Sequence, residues 1–366
     1  MDQRSPSLKE IIRHLHPGWF AAVMGTGILA VATLHAATWL PPLRALGVAL
    51  WILNSGLCVL LLIPWGLRWV WFPRDAWADL AHPTRGPFYS TMPIGLLVLA
   101  VDFAAIGRPV IGEAIAIPLA QGLWIIGTVA TLLFGVLIPY RWFTSERISL
   151  DQVNGGWFIP PVAAIVVPAA AAPLIPTWGS PELRHAVSMA AFAFTGIGLM
   201  LFLVVLALLF TRLVIHPLPH PHMGPTLWIG LGPIGVGTMA LIRLSGVALP
   251  IMGMGNPEVA SLLRLGGLVL WGFGLWWLPL AILLLIRYLK GTFPFALSWW
   301  AFTFPLGAYT VATFLLGDAF DAPALHGMGI ALWALLGGFW LTVFLLTVRG
   351  VLNGELLRPP APATKP

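Results

Sequence analysis

The stretch Gly18-Trp19-Phe20-Ala21-Ala22-Val23-Met24-Gly25-Thr26-Gly27 decides how this chain is read, because its pattern returns four more times. An aromatic start is followed, several residues on, by a proline or glycine and then by small residues. The same order of features reads Phe88-Tyr89 to Pro93-Ile94-Gly95, Trp157-Phe158 to Pro160-Pro161, Trp228 to Pro233-Ile234-Gly235, and Trp299-Trp300 to Pro305-Leu306-Gly307. With Gly25, Pro93, Pro161, Pro233 and Pro305 as anchors, the separations are 68, 68, 72 and 72 residues. A fixed period marks a repeated structural unit. The chain also holds 39 Gly and 33 Pro, so ordinary helix kinks without a repeat are the competing explanation.

Around these anchors the sequence is far too apolar for a water-facing surface. Of 366 residues 59% are hydrophobic and 9% charged, against about 25% charged in soluble globular proteins. Apolar runs bounded by charges or Pro/Gly turns give ten expected spans: 17–37, 44–67, 87–107, 114–138, 157–175, 186–211, 224–245, 262–286, 295–316 and 324–348. At about 1.5 Å per residue, each crosses a hydrocarbon core about 30 Å thick. Two spans per repeat make five helical hairpins, an all-α polytopic membrane protein in which little chain remains for a soluble domain. The first run follows Arg4, Lys9 and Arg13 but is too long for a signal-peptide core, so it is read as retained. The expected organisation is a short segment 1–16, a ten-helix domain 17–348 and a short tail 349–366.

Charge placement sets the expected orientation. Fourteen of the 19 basic residues fall on the side of the N-terminus, which by the positive-inside rule puts both termini in the cytoplasm of a cell membrane. The net charge of +6 is spread as ones and twos at span ends, which makes no stripe for nucleic acid. A single cysteine, Cys58, excludes an internal disulfide or a cysteine-based metal cluster. No P-loop, Gly-x-Ser-x-Gly or HExxH motif occurs, so no cofactor is expected and nucleotide hydrolysis has no visible seat.

If each hairpin returns to its starting side, the five odd-numbered helices run parallel and can surround an axis. Proline and glycine at membrane depth are tolerated where the freed backbone faces protein or a water-filled cavity. Even-numbered spans such as Leu57 to Ile63 and Leu199 to Leu209 are Leu/Val-rich and read as a lipid-facing outer ring. The inner helices present their N-termini, the positive ends of their dipoles, to the cytoplasm, which favours an anion. Expected pore-lining residues are Met24, Gly25, Thr26, Thr91, Met92, Pro93, Pro160, Pro161, Gly232, Pro233, Thr303 and Pro305. No acidic ring lies among them, as a cation pore commonly requires. One residue before each anchor stand Met24, Met92, Pro160, Gly232 and Phe304, and the aromatic of that set, Phe304, is the candidate gate or, alternatively, packing.

His16-Pro17-Gly18-Trp19-Phe20 with Met24-Gly25-Thr26-Gly27, and Trp299-Trp300-Ala301-Phe302-Thr303-Phe304-Pro305, resemble motifs of the tellurite-resistance/dicarboxylate transporter family, which includes slow-type anion channels, malate permeases and sulfite exporters. The resemblance covers essentially the whole chain. It implies ten helices as five hairpins in quasi-fivefold order around a central pore, often assembled as homotrimers with one pore per protomer. It also implies an occluding phenylalanine at Phe304 and substrates among sulfite, malate or other C4-dicarboxylates, tellurite, halide or nitrate. The Met-Gly-Thr-Gly and Thr-Phe-Pro-Leu-Gly stretches stand nearer the sulfite and malate branch.

Other side chains have a chemical and a structural reading. His16 and His82 precede prolines at the cytoplasmic start of inner helices, and with Arg85 they could form an anion vestibule; helix-start and positive-inside roles are the alternatives. Asp102 and Arg243, nine and ten residues beyond their anchors, either reach the outer interface, pair, or take part in transport or proton coupling, with Arg243 placed to attract anions at the outer mouth. His216, His220 and His222 lack cysteine or acidic company for a metal. A membrane-embedded enzyme is the rival reading, and it would need converging acids, bases or ligands that the spans hardly offer.

Overall fold

The computed structural model describes residues 7–144 and 148–358. Arg4, Arg147 and Lys365, counted in the orientation argument, lie outside the described residues, as do parts of the expected terminal segments. Ten principal helices follow in order: α1 (Ala21–Ala36), α2 (Leu43–Trp71), α3 (Thr91–Asp102), α4 (Glu113–Thr144), α5 (Ile159–Ala171), α6 (Pro181–Ile215), α7 (Leu231–Ile251), α8 (Pro257–Leu289), α9 (Phe304–Ala319) and α10 (Pro323–Leu352). No strand occurs among the described residues.

The odd helices each begin with a 3-10 run: Pro17–Phe20, Gly86–Ser90, Gly155–Phe158, Pro221–Gly230 and Leu297–Phe302. The aromatic-plus-Gly/Pro starts read from the sequence fall on these runs. Proline removes a donor that the first turn would leave unpaired, and side-chain caps supply acceptors: His16 Nδ1 accepts from Gly18 N at 3.0 Å and Asn154 Oδ1 from Gly156 N at 2.9 Å. The long even helices start more conventionally. Ser180 caps α6 and Asn256 caps α8, each followed by Pro at the first helical position.

Nine stretches among the described residues are long and apolar enough to cross a membrane. The expected span 157–175 differs: its helical stretch Gly155–Ala171 has 17 residues and is the short one. Pro173 and Pro176 follow its end and cannot continue the helix. The even helices are also less free of breakers than expected, since α2, α4 and α8 run through Pro64, Pro118 and Pro139, and Pro279.

Packing separates two sets. Each odd helix packs on the even helix that follows it, and the odd helices also pack on one another in a closed series: α1 on α3, α3 on α5, α5 on α7, α7 on α9, and α9 back on α1. Each even helix then leans on the next odd one, as α2 does on α3 and α10 on α1. Burial follows: 83%, 61%, 61% and 94% of the apolar windows containing α1, α3, α7 and α9 are buried, against 22–28% for the even helices. Glycine makes the inner contacts close. A Cβ on Gly235 of α7 would lie 2.5 Å from Ala308 C and on top of Tyr309 N in α9.

Candidate functional site

Three cavities lie in line along the N-terminal half of the odd helices and into their middle. The widest, about 620 Å³, opens at the helix N-termini and is lined by His14, His16, Arg85, Phe88, His222, Leu297, Ser298, Glu355 and Arg358 among others. Phe88, Leu297 and Ser298 also line the second cavity, of about 30 Å³, with Ala21, Met24, Thr91, Ile94, Ile159, Val162, Ile229, Trp300, Ala301, Phe304 and Pro305. The third, of about 20 Å³, is bounded by Ile28, Val31, Val98, Val101, Val166, Ala169, Ala170, Val236, Met239 and Phe304. Phe304 is the residue shared by the second and third, so its ring stands between them.

The lining residues have a helical rhythm. They are Ala21, Met24, Ile28 and Val31 on α1; Thr91, Ile94, Val98 and Val101 on α3; Ile159, Val162, Val166 and Ala169 on α5; and Ile229, Val236 and Met239 on and before α7. Steps of three, four and three residues keep one face turned inward. The positions level with Phe304 are therefore Met24, Ile94, Val162 and Gly232, at separations of 70, 68, 70 and 72 residues.

The expected lining is brought together only in part. Met24, Thr91, Phe304 and Pro305 line the second cavity. Met92 and Pro160 do not, because two residues of register turn an α-helix by about 200° and carry a side chain to the opposite face. Gly25 sits against Trp300 and Thr303, and Thr26 accepts from Trp340 Nε1 of α10 at 3.0 Å. The Thr303 hydroxyl donates to Trp300 O at 2.7 Å. The backbone oxygens of Pro93 and Pro161 lie against Gly127 of α4 and Gly198 of α6, placing those anchors at inner-outer contacts. Gly232 faces inward without a side chain; a Cβ there would lie 3.1 Å from Val162 Cγ2. Pro233 lines none of the three cavities.

The wide cavity carries the charge. Arg85 Nη1 is 3.3 Å from Asp79 Oδ1, and Arg68 Nη2 is 2.5 Å from Asp79 Oδ2. Two guanidiniums thus share one carboxylate, and Arg85 Nε is buried without a partner. His16 is held neutral: burial, then Arg85, Arg68 and His82, push its imidazole down to about 3. Its Nδ1 accepts from Gly18, which leaves Nε2–H as the donor. His82 is also lowered, by burial and Arg85, and accepts from Thr84 N at 3.2 Å at the cavity's edge. His16 and His82 therefore act as neutral caps at this end, in contrast to a pair of positive charges.

Arg243 lies on α7 away from this cavity. Asp102 is fully buried and faces Asn54 of α2, off all three cavities. At the other end, a separate cavity of about 240 Å³ is lined by His35, Thr38, Trp39, Phe314, Asp318 and His326. Among the described residues no group of three or more His, Cys, Asp or Glu is placed to hold a metal.

Sequence reasoning missed the apolar collar beyond Phe304, formed by Ile28, Val31, Val98, Val101, Val166, Val236 and Met239. Its signal was the three-four-three step on α1, α3 and α5, which the prolines obscured.

Comparison with known proteins agrees with the geometry. Residues 14–348 match the family described as SLAC1, voltage-dependent anion channel. An uncharacterized transporter of Methanocaldococcus jannaschii is 39% identical over 351 residues, 95% of this chain and 97% of its own. The sulfite efflux pump SSU1 of Trichophyton rubrum is 31% identical over 354 residues, 95% of this chain and 93% of its own. The malic acid transport protein of Schizosaccharomyces pombe is 22% identical over 372 residues, 96% and 82% respectively. These relatives are named as transporters and pumps, not enzymes. The chain is an integral membrane protein that belongs to the SLAC1 voltage-dependent anion channel family.

Proposed function

We propose that this protein passes small anions through the axis of its five odd helices, with Phe304 as the gate. The observation that carries the reading is Phe304 standing between two cavities in line with a wider, basic one. In this reading α5 is a tenth, short span, the chain is five helical hairpins in quasi-fivefold order, and the lining positions repeat at 68 to 72 residues. The wide cavity then opens to the cytoplasm, as the basic residues direct, and the exposed apolar faces of the even helices meet the lipid bilayer of the cell membrane or the other copies of a homotrimer.

The chemistry suits an anion. Arg85 and the Nε2–H of His16 offer donors, and the odd helices aim the positive ends of their dipoles at the cavity. The collar beyond offers no polar side chain, so an ion entering it sheds water, and an apolar constriction closes by excluding water. No acidic side chain lines the second or third cavity to hold a cation there. Sulfite and malate are the substrate classes that the relatives' names suggest, with nitrate and halide as non-titrating candidates.

Flux of sulfite, malate, nitrate and chloride into proteoliposomes of purified protein tests the proposal. Phe304→Ala is expected to raise flux of the transported anion about tenfold or more, a barrier lowered by about 1.4 kcal/mol. Unchanged flux with normal yield would place the gate elsewhere.

A further inference from the structure

Off the pathway, between α1, α2 and α3, lies a polar pair that the transport reading leaves unused. Asp102 ends α3 and Asn54 stands mid-way along α2; both are fully buried. Asn54 Nδ2 donates to Asp102 Oδ2 at 2.9 Å. The second carboxylate oxygen, Asp102 Oδ1, and the amide oxygen, Asn54 Oδ1, have no partner, and neither does Trp51 Nε1 one turn away on α2. Native interiors rarely leave such atoms unpaired, and three within a turn call for an explanation.

A proton supplies one. An ionised carboxylate here would accept a single hydrogen bond with no counter-charge, which burial strongly disfavours. A protonated Asp102 has an O–H to donate, and Asn54 Oδ1 is an acceptor in want of a donor. The surroundings add no competing charge. The helices α1 and α5 carry no ionisable residue near it, and Cys58, one turn beyond Asn54 on α2, is a buried thiol. Arg108, past the end of α3, is spoken for by Glu113 Oε2 at the start of α4, 2.6 Å away. Tyr140 and Arg141 sit at the far end of α4.

The pair also lies against the helices that line the collar. A Cβ on Gly27 of α1 would lie 2.5 Å from Asn54 Nδ2 and 2.8 Å from Asp102 Oδ2, so the α1 backbone lies directly over the pair. The next residue, Ile28, lines the collar and abuts Gly307 on the helix of Phe304. On α3, Val98 and Val101 line the same collar. Directly after Asp102 the helix widens into a π-helical turn, Phe103–Gly107, a feature frequent at functional sites.

We propose that Asp102 and Asn54 form a proton-binding site, occupied while the collar is closed and giving up its proton as α1 and α3 part, so that anion passage is coupled to protons. The coupling rests on the pathway proposed above; the proton site does not. On deprotonation the O–H bond of Asp102 breaks, the electron pair stays on the carboxylate and the proton passes to water at the Arg108 end.

Infrared difference spectra of purified protein between acid and alkaline buffer test the site whether or not any anion is transported. The expected result is a titrating protonated-carboxyl band that is lost in Asp102→Asn and whose midpoint moves in Asn54→Ala. Persistence of every such band in Asp102→Asn overturns the site, as does an unmoved midpoint in Asn54→Ala if Asp102→Asn fails to fold. Nitrate flux under opposed pH gradients tests the coupling: wild type responds to the gradient's direction and Asp102→Asn conducts without responding. A response retained in Asp102→Asn overturns the coupling. Absence of flux of nitrate, chloride, sulfite and malate alike in wild type overturns the pathway reading while the infrared result still decides the site.

Discussion

The odd and even helices are both strongly apolar, the exposed even set the more so, yet the odd set is buried and the even set faces outward. The difference lies in shape. Odd helices are rich in Gly, Ala, Val and Thr, whose small side chains allow backbones to approach; even helices carry long Leu, Ile and Trp side chains that stand exposed, such as Leu60, Ile126, Leu203, Trp276 and Leu345. In lipid the hydrophobic effect contributes little to this choice, because lipid tails are as apolar as Leu, so close packing decides which helices go inside.

Glycine tests this contrast with the largest expected effect. Gly235→Val on α7 would drive two methyls into the backbone of Ala308 and Tyr309. Backbone cannot swing aside, so a cost of about 3 kcal/mol or more is expected, read as loss of monodisperse protein on size exclusion. A normal elution profile and melting temperature would mean that α7 and α9 are not held this closely.

A smaller effect is expected from the charge that the wide cavity concentrates. Arg85→Gln leaves Asp79 paired with Arg68 and removes a donor facing the cavity. Flux should fall by about tenfold or less at low ionic strength and approach wild type in high salt, where a Debye length of about 3 Å at 1 M screens it. A salt-independent loss would show that Arg85 acts by structure alone, through its contact with Asp79.

His16 sharpens the contrast between cap and charge. Its folded value of about 3 lies below the ordinary 6.5, so between those values the unfolded chain binds more protons. Stability therefore falls as pH drops from 6.5 toward 3, and His16 itself gives no charge step near neutrality. His16→Gln should flatten the acid limb of melting temperature against pH. An unchanged limb would assign acid sensitivity to other groups.

Much of this division was legible. Five aromatic-to-breaker segments at a steady spacing named the inner helices, and Phe304 emerged from them. What failed was register. In sequence the prolines look equivalent in every repeat, but Pro93 and Pro161 serve the contact with α4 and α6, whereas Pro305 lines the cavity. The lining residues are ordinary Ile, Val and Ala whose side chains carry no chemical mark, so only their three-four-three spacing could have revealed them. Asp102 was visible as an ion at membrane depth, but its partner Asn54 lies 48 residues earlier on another helix, and only the fold brings them together.

The smallest expected effect belongs to the even helices. Gly122 of α4 has nothing within 4 Å of where a Cβ would stand, in contrast to Gly27 and Gly235. In water, replacing such a helix glycine by alanine gains about 0.5–1 kcal/mol, largely by restricting the unfolded chain. In a membrane that gain shrinks, because the backbone has no water to bond with and stays helical even when helices separate. Gly122→Ala should therefore shift stability by less than about 0.5 kcal/mol in either direction, read as an almost unmoved melting temperature in lipid nanodiscs. A large destabilisation would mean that this face of α4 packs against something, such as a second copy of the chain, and would move α4 from the outward-facing set to an interface.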